Sequence, residues 1–95
     1  MVVGVMRITL RIPENNSLKG KRRVVKQILE RTRSRFRLAV AETGLNDVYQ
    51  AAEIGLACVG NDGRVCNSVL DQAADFIESI GTALVTGREL EILHF

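Results

Sequence analysis

The chain has 95 residues, of which 46% are hydrophobic and 25% are charged, a balance typical of one globular domain with a single core. Its net charge is +2, and its apolar runs are far shorter than the roughly 20 residues that a membrane span requires. The N-terminus lacks the basic start and the cleavage site of a secretory signal, so we expect one cytoplasmic domain over residues 1–95, with no membrane partner.

Apolar and polar side chains alternate along residues 2–12, which predicts a strand that is buried on one face. Pro13 ends this strand, and Ser17 is a suitable N-cap for a helix that runs to about Phe36. The predicted buried stripe of this helix consists of Leu18, Val25, Ile28, Leu29, Thr32 and Phe36.

The second and third strands are predicted over residues 37–43 and 48–60. A second helix follows at about residues 63–80, Gly81 is well placed to end it, and the last strand lies within residues 83–94. The element order is therefore βαββαβ. Two right-handed crossovers joined by a central hairpin give a four-stranded antiparallel sheet with both helices on one face, the α+β fold called the ferredoxin-like plait.

Positive charge is concentrated in the first 37 residues, which contain eleven Lys/Arg and two acids, whereas the rest contains two Lys/Arg and nine acids. Like charges three or four residues apart on a helix repel, by roughly 0.2–0.5 kcal/mol per pair, so helix stability does not explain this pattern. We therefore expect the first helix to bind the phosphates of a nucleic acid. The predicted contact residues are Lys19, Lys21, Arg22, Arg23, Lys26, Arg33 and Arg37.

The basic helix also has two alternative interpretations. The second helix carries Asp71, Asp75 and Glu78, which can form ion pairs with the first helix within one chain or between subunits. Three carboxylates cannot neutralise the nine cations between Lys19 and Arg37, however. The charges can also serve solubility alone.

Side chains that support catalysis or cofactor binding are sparse. His94 is the only histidine, and Cys58 and Cys66 are eight residues apart, outside the spacing of a close metal or redox pair. No serine–histidine–aspartate or cysteine–histidine set can be assembled. We therefore predict that the protein is not an enzyme and uses no cofactor and no metal.

The uncovered face of the predicted sheet combines small apolar side chains with charges of both signs. This composition predicts a homodimer that packs through the open sheet face; the alternative is an exposed sheet with Arg–Glu pairs across its strands. The apolar residues are Val3, Val5, Ala39, Ala41, Ala51, Ala57, Val59 and Leu93, and the charged ones are Arg7, Arg11, Glu53, Glu89 and Glu91.

Two segments of the chain carry a family resemblance. One is the first strand with IPENNSLKGKRRVVKQIL, and the other is VAETGLNDVYQAAEIGLACVGND, which includes Val40-Ala41-Glu42, Asp47, Ala52 and Glu53. Together they resemble the YlxP-like family of small bacterial proteins. The resemblance implies a ferredoxin-like plait in the bacterial cytosol, and it supplies no catalytic residues because the family has no established activity. Members are often encoded near translation and ribosome-maturation factors, which favours RNA or the ribosome as the partner.

The sequence thus predicts a non-enzymatic, RNA- or ribosome-associated protein. The alternative is a homodimeric interaction module whose basic helix binds an acidic protein surface.

Overall fold

The computed structural model describes residues 1–95 and contains six elements in the predicted order. They are β1 (Val2–Arg11), α1 (Leu18–Arg35), β2 (Ala39–Gly44), β3 (Ala51–Gly60), α2 (Gly63–Ile80) and β4 (Leu84–His94). All strand pairs are antiparallel, and the strand order is β2-β3-β1-β4. The ferredoxin-like plait is confirmed, with both helices on one face of the sheet. Neither helix combines the length and apolar character needed to cross a bilayer.

The central strand β1 buries the side of its alternating pattern that faces the helices. Met6, Ile8 and Leu10 are at most 3% exposed, and Met6 lies opposite Leu56 of β3 and Leu90 of β4. The single core forms between this face of the sheet and the inner sides of α1 and α2. We call the other side of the sheet the open face.

Side-chain and backbone caps determine where the helices begin and end. The Ser17 hydroxyl accepts a hydrogen bond from the Gly20 N–H (3.0 Å), and the Asp62 carboxylate accepts one from the Arg64 N–H (2.9 Å). Helix α2 ends at Gly81, whose φ of 81° lies in the left-handed region that favours glycine. The predicted bounds of α2 are confirmed.

Two predicted strand starts were wrong by two or three residues, and the predicted end of α1 was one residue too late. Strand β2 begins at Ala39 rather than 37, and β3 begins at Ala51 rather than 48. The early start of β3 fails because the Val48 N–H donates to the Leu45 carbonyl and closes a turn instead. Helix α1 ends at Arg35, since Phe36 is already extended (φ −126°, ψ 144°), and Arg37 therefore lies beyond the helix.

Candidate nucleic-acid interface

Six of the seven predicted contact residues have exposed side chains, and we call this set the basic face. Its members are Lys19, Arg22, Arg23, Lys26, Arg33 and Arg37. The five members on α1 recur at short helical spacing, so they share one side of the helix, away from the buried stripe. Arg37 follows in the extended connection to β2.

Most of the basic face has no counter-ion within the protein. Lys26 pairs with Glu30 at 3.9 Å, and both side chains are largely exposed, so this contact is weak. No carboxylate oxygen lies within 4.0 Å of any other member. Arg33 donates to the Val40 carbonyl of β2 (2.7 Å), which orients the guanidinium but does not neutralise it. The basic face therefore keeps a net positive charge.

Two acids of α2 form ion pairs with β4 and not with α1. Arg88 of β4 donates to the Asp75 carboxylate at 2.8 Å and to the Glu78 carboxylate at 3.1 Å. The hydrogen bond to Asp75 is the main reason that the pKa of Arg88 is raised; burial opposes the rise, and Glu78 adds to it. Asp71 takes part in no ion pair. The alternative interpretation in which the acids of α2 neutralise α1 within one chain is therefore wrong. Ion pairing of these acids with α1 of another subunit stays a prediction.

The prediction that Lys21 contacts a phosphate was wrong, because its side chain is only 2% exposed. The ammonium group points inward, donates a hydrogen bond to the Leu45 carbonyl, and lies 3.4 Å from the Glu42 carboxylate of β2. Lys21 therefore connects α1 to the β2–β3 hairpin. The Glu42 oxygen is buried and makes no hydrogen bond, so the attraction to Lys21 is its main compensation.

A signal for this burial was present in the sequence. Lys21 precedes Val25 by four residues and Ile28 by seven, so it lies on the buried stripe of α1. The prediction grouped Lys21 with the exposed cations because of its positive charge. A long aliphatic stem can nevertheless be buried when the ammonium group has a partner. Helical spacing was the better guide here.

Two further arginines of α1 are held against α2. The guanidinium carbons of Arg31 and Arg35 lie 5.6 and 5.0 Å from the ring centroid of Phe76, within the range of cation–π attraction. Neither arginine has a carboxylate partner. They line a shallow cleft of about 580 Å³ between the helices, together with Glu30, Ser34 and Phe76. They therefore extend the positive surface on the side that the predicted contact set omitted.

The loop before α1 is hydrogen-bonded to the β2–β3 connection. The Asn15 side-chain amide donates to the Ser17 carbonyl (2.8 Å) and to the Tyr49 carbonyl (2.6 Å). Gly20 permits this arrangement, because a Cβ there would lie 2.3 Å from the Asn15 Oδ1 atom. The first turn of the basic helix is thus positioned by contacts that are distant in sequence.

Elsewhere the structure brings few reactive groups together. The thiols of Cys58 and Cys66 are neighbours, and burial, followed by the hydrogen bond with Cys66, raises the pKa of Cys58. No group of three or more His, Cys, Asp or Glu side chains is arranged to hold a metal ion. The positive surface of α1 is therefore the strongest candidate for a binding site.

Residues 3–89 match the family model described as "Protein of unknown function (DUF503)". The chain is 34% identical over 68 residues to the uncharacterized protein YlxP of Bacillus subtilis (strain 168), covering 72% of this chain and 74% of that protein. Two solved structures have a similar fold, each with a TM-score of 0.54. The de novo designed protein Foldit4 is 14% identical, with coverage of 100% and 99%. A C-terminal segment of the alpha subunit of aIF2 from Pyrococcus abyssi is 16% identical, with coverage of 99% and 51%.

Proposed function

The chain belongs to the YlxP-like DUF503 family of proteins of unknown function, and from its surface we propose that it is a non-enzymatic RNA-binding protein. The observation that carries this proposal is the absence of a carboxylate partner for five of the six residues of the basic face. Phosphates are the ligands that such a surface attracts most generally, because each contact releases counter-ions from the nucleic acid.

The form of the surface favours the backbone of a structured RNA over unpaired bases. Helix α1 has 18 residues and is about 27 Å long, so its cations extend over several successive phosphates. The open faces of β1 and β3 contain no aromatic side chain on which bases could stack. Phe36 and Phe76 pack against each other between the helices, with ring centroids 5.8 Å apart. Recognition by helix shape and phosphate position fits these features.

The local arrangement of the arginines also suits a polyanion. Arg31 and Arg35 are held on the Phe76 ring, so little of their side-chain freedom is lost when a phosphate binds. Arg33 is likewise oriented by its hydrogen bond to Val40. We propose that the polyanion bound by these oriented cations is a cytoplasmic RNA or a ribosomal RNA surface.

The test compares two charge reversals of equal size. Arg22→Glu changes the basic face, whereas Arg64→Glu changes a 96% exposed side chain at the start of α2. Binding to a fluorescent RNA stem-loop is measured by anisotropy at fixed salt concentration. We expect Arg22→Glu with Lys26→Glu to abolish measurable binding, Arg22→Glu alone to weaken it, and Arg64→Glu to change it little. Equal losses for Arg22→Glu and Arg64→Glu would reject a defined basic face.

An acidic protein is the competing partner, and affinity capture from cell extract distinguishes it. If RNA is the ligand, nuclease treatment should remove the captured material. Retention of one acidic protein after nuclease treatment, together with no anisotropy change on RNA, would overturn the proposal.

A further inference from the structure

The open face of the sheet has a bulky half and a small half. Large side chains project from β1 and β4, whereas β2 and β3 contribute mainly alanine, glycine and threonine. Two rows of paired residues cross all four strands in the order β2-β3-β1-β4. They are Ala39–Ala57–Val5–Glu91 and Ala41–Gly55–Arg7–Glu89. Each row therefore has two small residues followed by two large ones.

The small half forms the floor of a wide groove. Its volume is about 770 Å³, and its lining includes Ala39, Ala41, Gly55 and Ala57, with Arg7 and Glu89 on the opposite wall. Two residues beyond Ala57 on the same face of β3, Val59 is 68% exposed and adds apolar surface at one end of the sheet. The larger side chains of β1 and β4, including Val5, Arg7, Glu89 and Glu91, stand beside this groove, and we call them the ridge. An exposed apolar surface of this kind is typical of an interface.

We propose that the groove is occupied by the ridge of a second copy of this chain, in a homodimer that packs sheet to sheet. A two-fold axis parallel to the strands, between β1 and β3, superposes the bulky half of each copy on the small half of the other. Within each row it places Val5 over Ala57 of the second copy and Arg7 over Gly55. The face is thus complementary in shape to itself, as an isologous interface must be.

Charge complementarity follows from the same operation. Within one chain Arg7 lies 3.3 Å from the Glu53 carboxylate and 3.7 Å from that of Glu89, and it remains 58% exposed. The two-fold axis brings Arg7 of one copy to β3 of the other, the strand that carries Glu53. Each arginine then meets acids of both copies, while Glu91 lies over Ala39 of the edge strand β2, at the rim of the contact, where its carboxylate stays in water.

The area of the face is adequate for a specific dimer. Strands β1, β3 and β4 are about 33–36 Å long, the shorter β2 is about 20 Å long, and four strands are about 19 Å wide, which gives a little under about 600 Å² per copy. Both copies together bury about 1,200 Å², at the lower end of specific interfaces. We therefore expect a dimer that dissociates on dilution.

The test is the molar mass in solution of the full chain and of two matched variants. Ala41→Glu places a carboxylate on the exposed floor of the groove, opposite Glu89 of the second copy. Ser68→Glu adds the same charge to an exposed site on α2. Gly55 is left unchanged, because a Cβ there would lie 2.6 Å from the Thr43 methyl carbon and disturb the monomer.

Light scattering after size exclusion should give twice the 10.5 kDa chain mass for the unmodified chain and for Ser68→Glu at high micromolar concentration. Ala41→Glu should give the single-chain mass with an unchanged circular dichroism spectrum. A monomeric unmodified chain would overturn the proposal, and so would an Ala41→Glu variant that remains dimeric.

This inference does not depend on RNA binding. In the sheet-to-sheet dimer both α1 helices lie on the outer sides, so their basic faces stay accessible. We expect Ala41→Glu to bind the RNA stem-loop with an intrinsic affinity per chain within about twofold of the unmodified protein. Loss of the dimer with RNA binding retained supports the inference, whereas loss of both would contradict the separation of the two surfaces.

Discussion

Lys21 of α1 and Glu42 of β2 form a charge pair beneath the basic helix, with 3.4 Å between the ammonium nitrogen and a carboxylate oxygen. The lysine is almost completely buried, while 24% of the glutamate side chain is exposed. Lys21 also donates to the Leu45 carbonyl, so one side chain compensates the buried Glu42 oxygen and holds the β2–β3 turn. The pair therefore belongs to the structural support of α1 and not to its binding surface.

Replacement of Lys21 should destabilise the fold. Lys21→Met keeps the apolar stem but leaves the Glu42 carboxylate without its counter-ion and the Leu45 carbonyl without its donor. We expect a loss of about 2–3 kcal/mol in the free energy of unfolding, less than for a fully buried pair because Glu42 is partly exposed. Urea denaturation measures this loss. Lys19→Met, at an exposed position, is the control and should change stability by less than about 0.5 kcal/mol.

The Phe76 ring should matter for the packing of α1 on α2. Phe76→Leu removes the edge-to-face contact with Phe36 and the cation–π contacts of Arg31 and Arg35. Together these contacts predict a loss of about 2 kcal/mol, measured by thermal or urea unfolding. Tyr49→Leu replaces a half-exposed ring and should stay within about 0.5 kcal/mol of the parent. An equal loss for both variants would contradict a specific role for Phe76.

Gly81 should tolerate no side chain without a cost in backbone energy. Its φ is 81°, and an added Cβ would have no atom within 4 Å, so crowding plays no part. Gly81→Ala should therefore lower the free energy of unfolding by about 1–2 kcal/mol through the left-handed backbone alone. Gly87→Ala, in β4, is the matched change at a position without positive φ and should be neutral or slightly stabilising. An unchanged free energy of unfolding for Gly81→Ala would contradict a left-handed backbone at the end of α2.

The raised pKa of Cys58 should slow its reaction with thiol reagents. Burial and the hydrogen bond with Cys66 raise the pKa of Cys58. At pH 7–8 less of its thiol is therefore ionised than in a cysteine with an ordinary pKa. Iodoacetamide at pH 7–8 should modify the native protein much more slowly than the urea-unfolded chain, as measured by mass spectrometry. The rate should rise with pH as the thiolate fraction grows. Rapid labelling of Cys58 in the native protein at pH 7 would contradict this expectation.

Much of the fold follows from local patterns in the sequence. The alternation along β1 predicts which side of that strand is buried, and the spacing of apolar residues together with Gly81 predicts both ends of α2. Strand starts were less predictable. Val48 is a good strand residue, yet the turn hydrogen bond to Leu45 keeps it out of β3.

The candidate site required information that local patterns do not contain. The pairing of Asp75 and Glu78 with Arg88 depends on the position of β4 beside α2, which spacing along a single helix does not reveal. The stacking of Arg31 and Arg35 on Phe76 likewise depends on how α1 meets α2. These relations come from tertiary packing, which decides which cations remain unpaired.

The salt dependence of RNA binding tests the proposed function most directly. If the six residues of the basic face each neutralise one phosphate, the logarithm of the association constant should fall against the logarithm of salt concentration with a slope of about −4 to −5.5. Neutralisation of both sites, Arg22→Gln with Lys26→Gln, removes two phosphate contacts and should reduce the magnitude of the slope by about two. A slope near zero for the unmodified chain would show that the cations of α1 do not contact phosphates and would contradict the proposal.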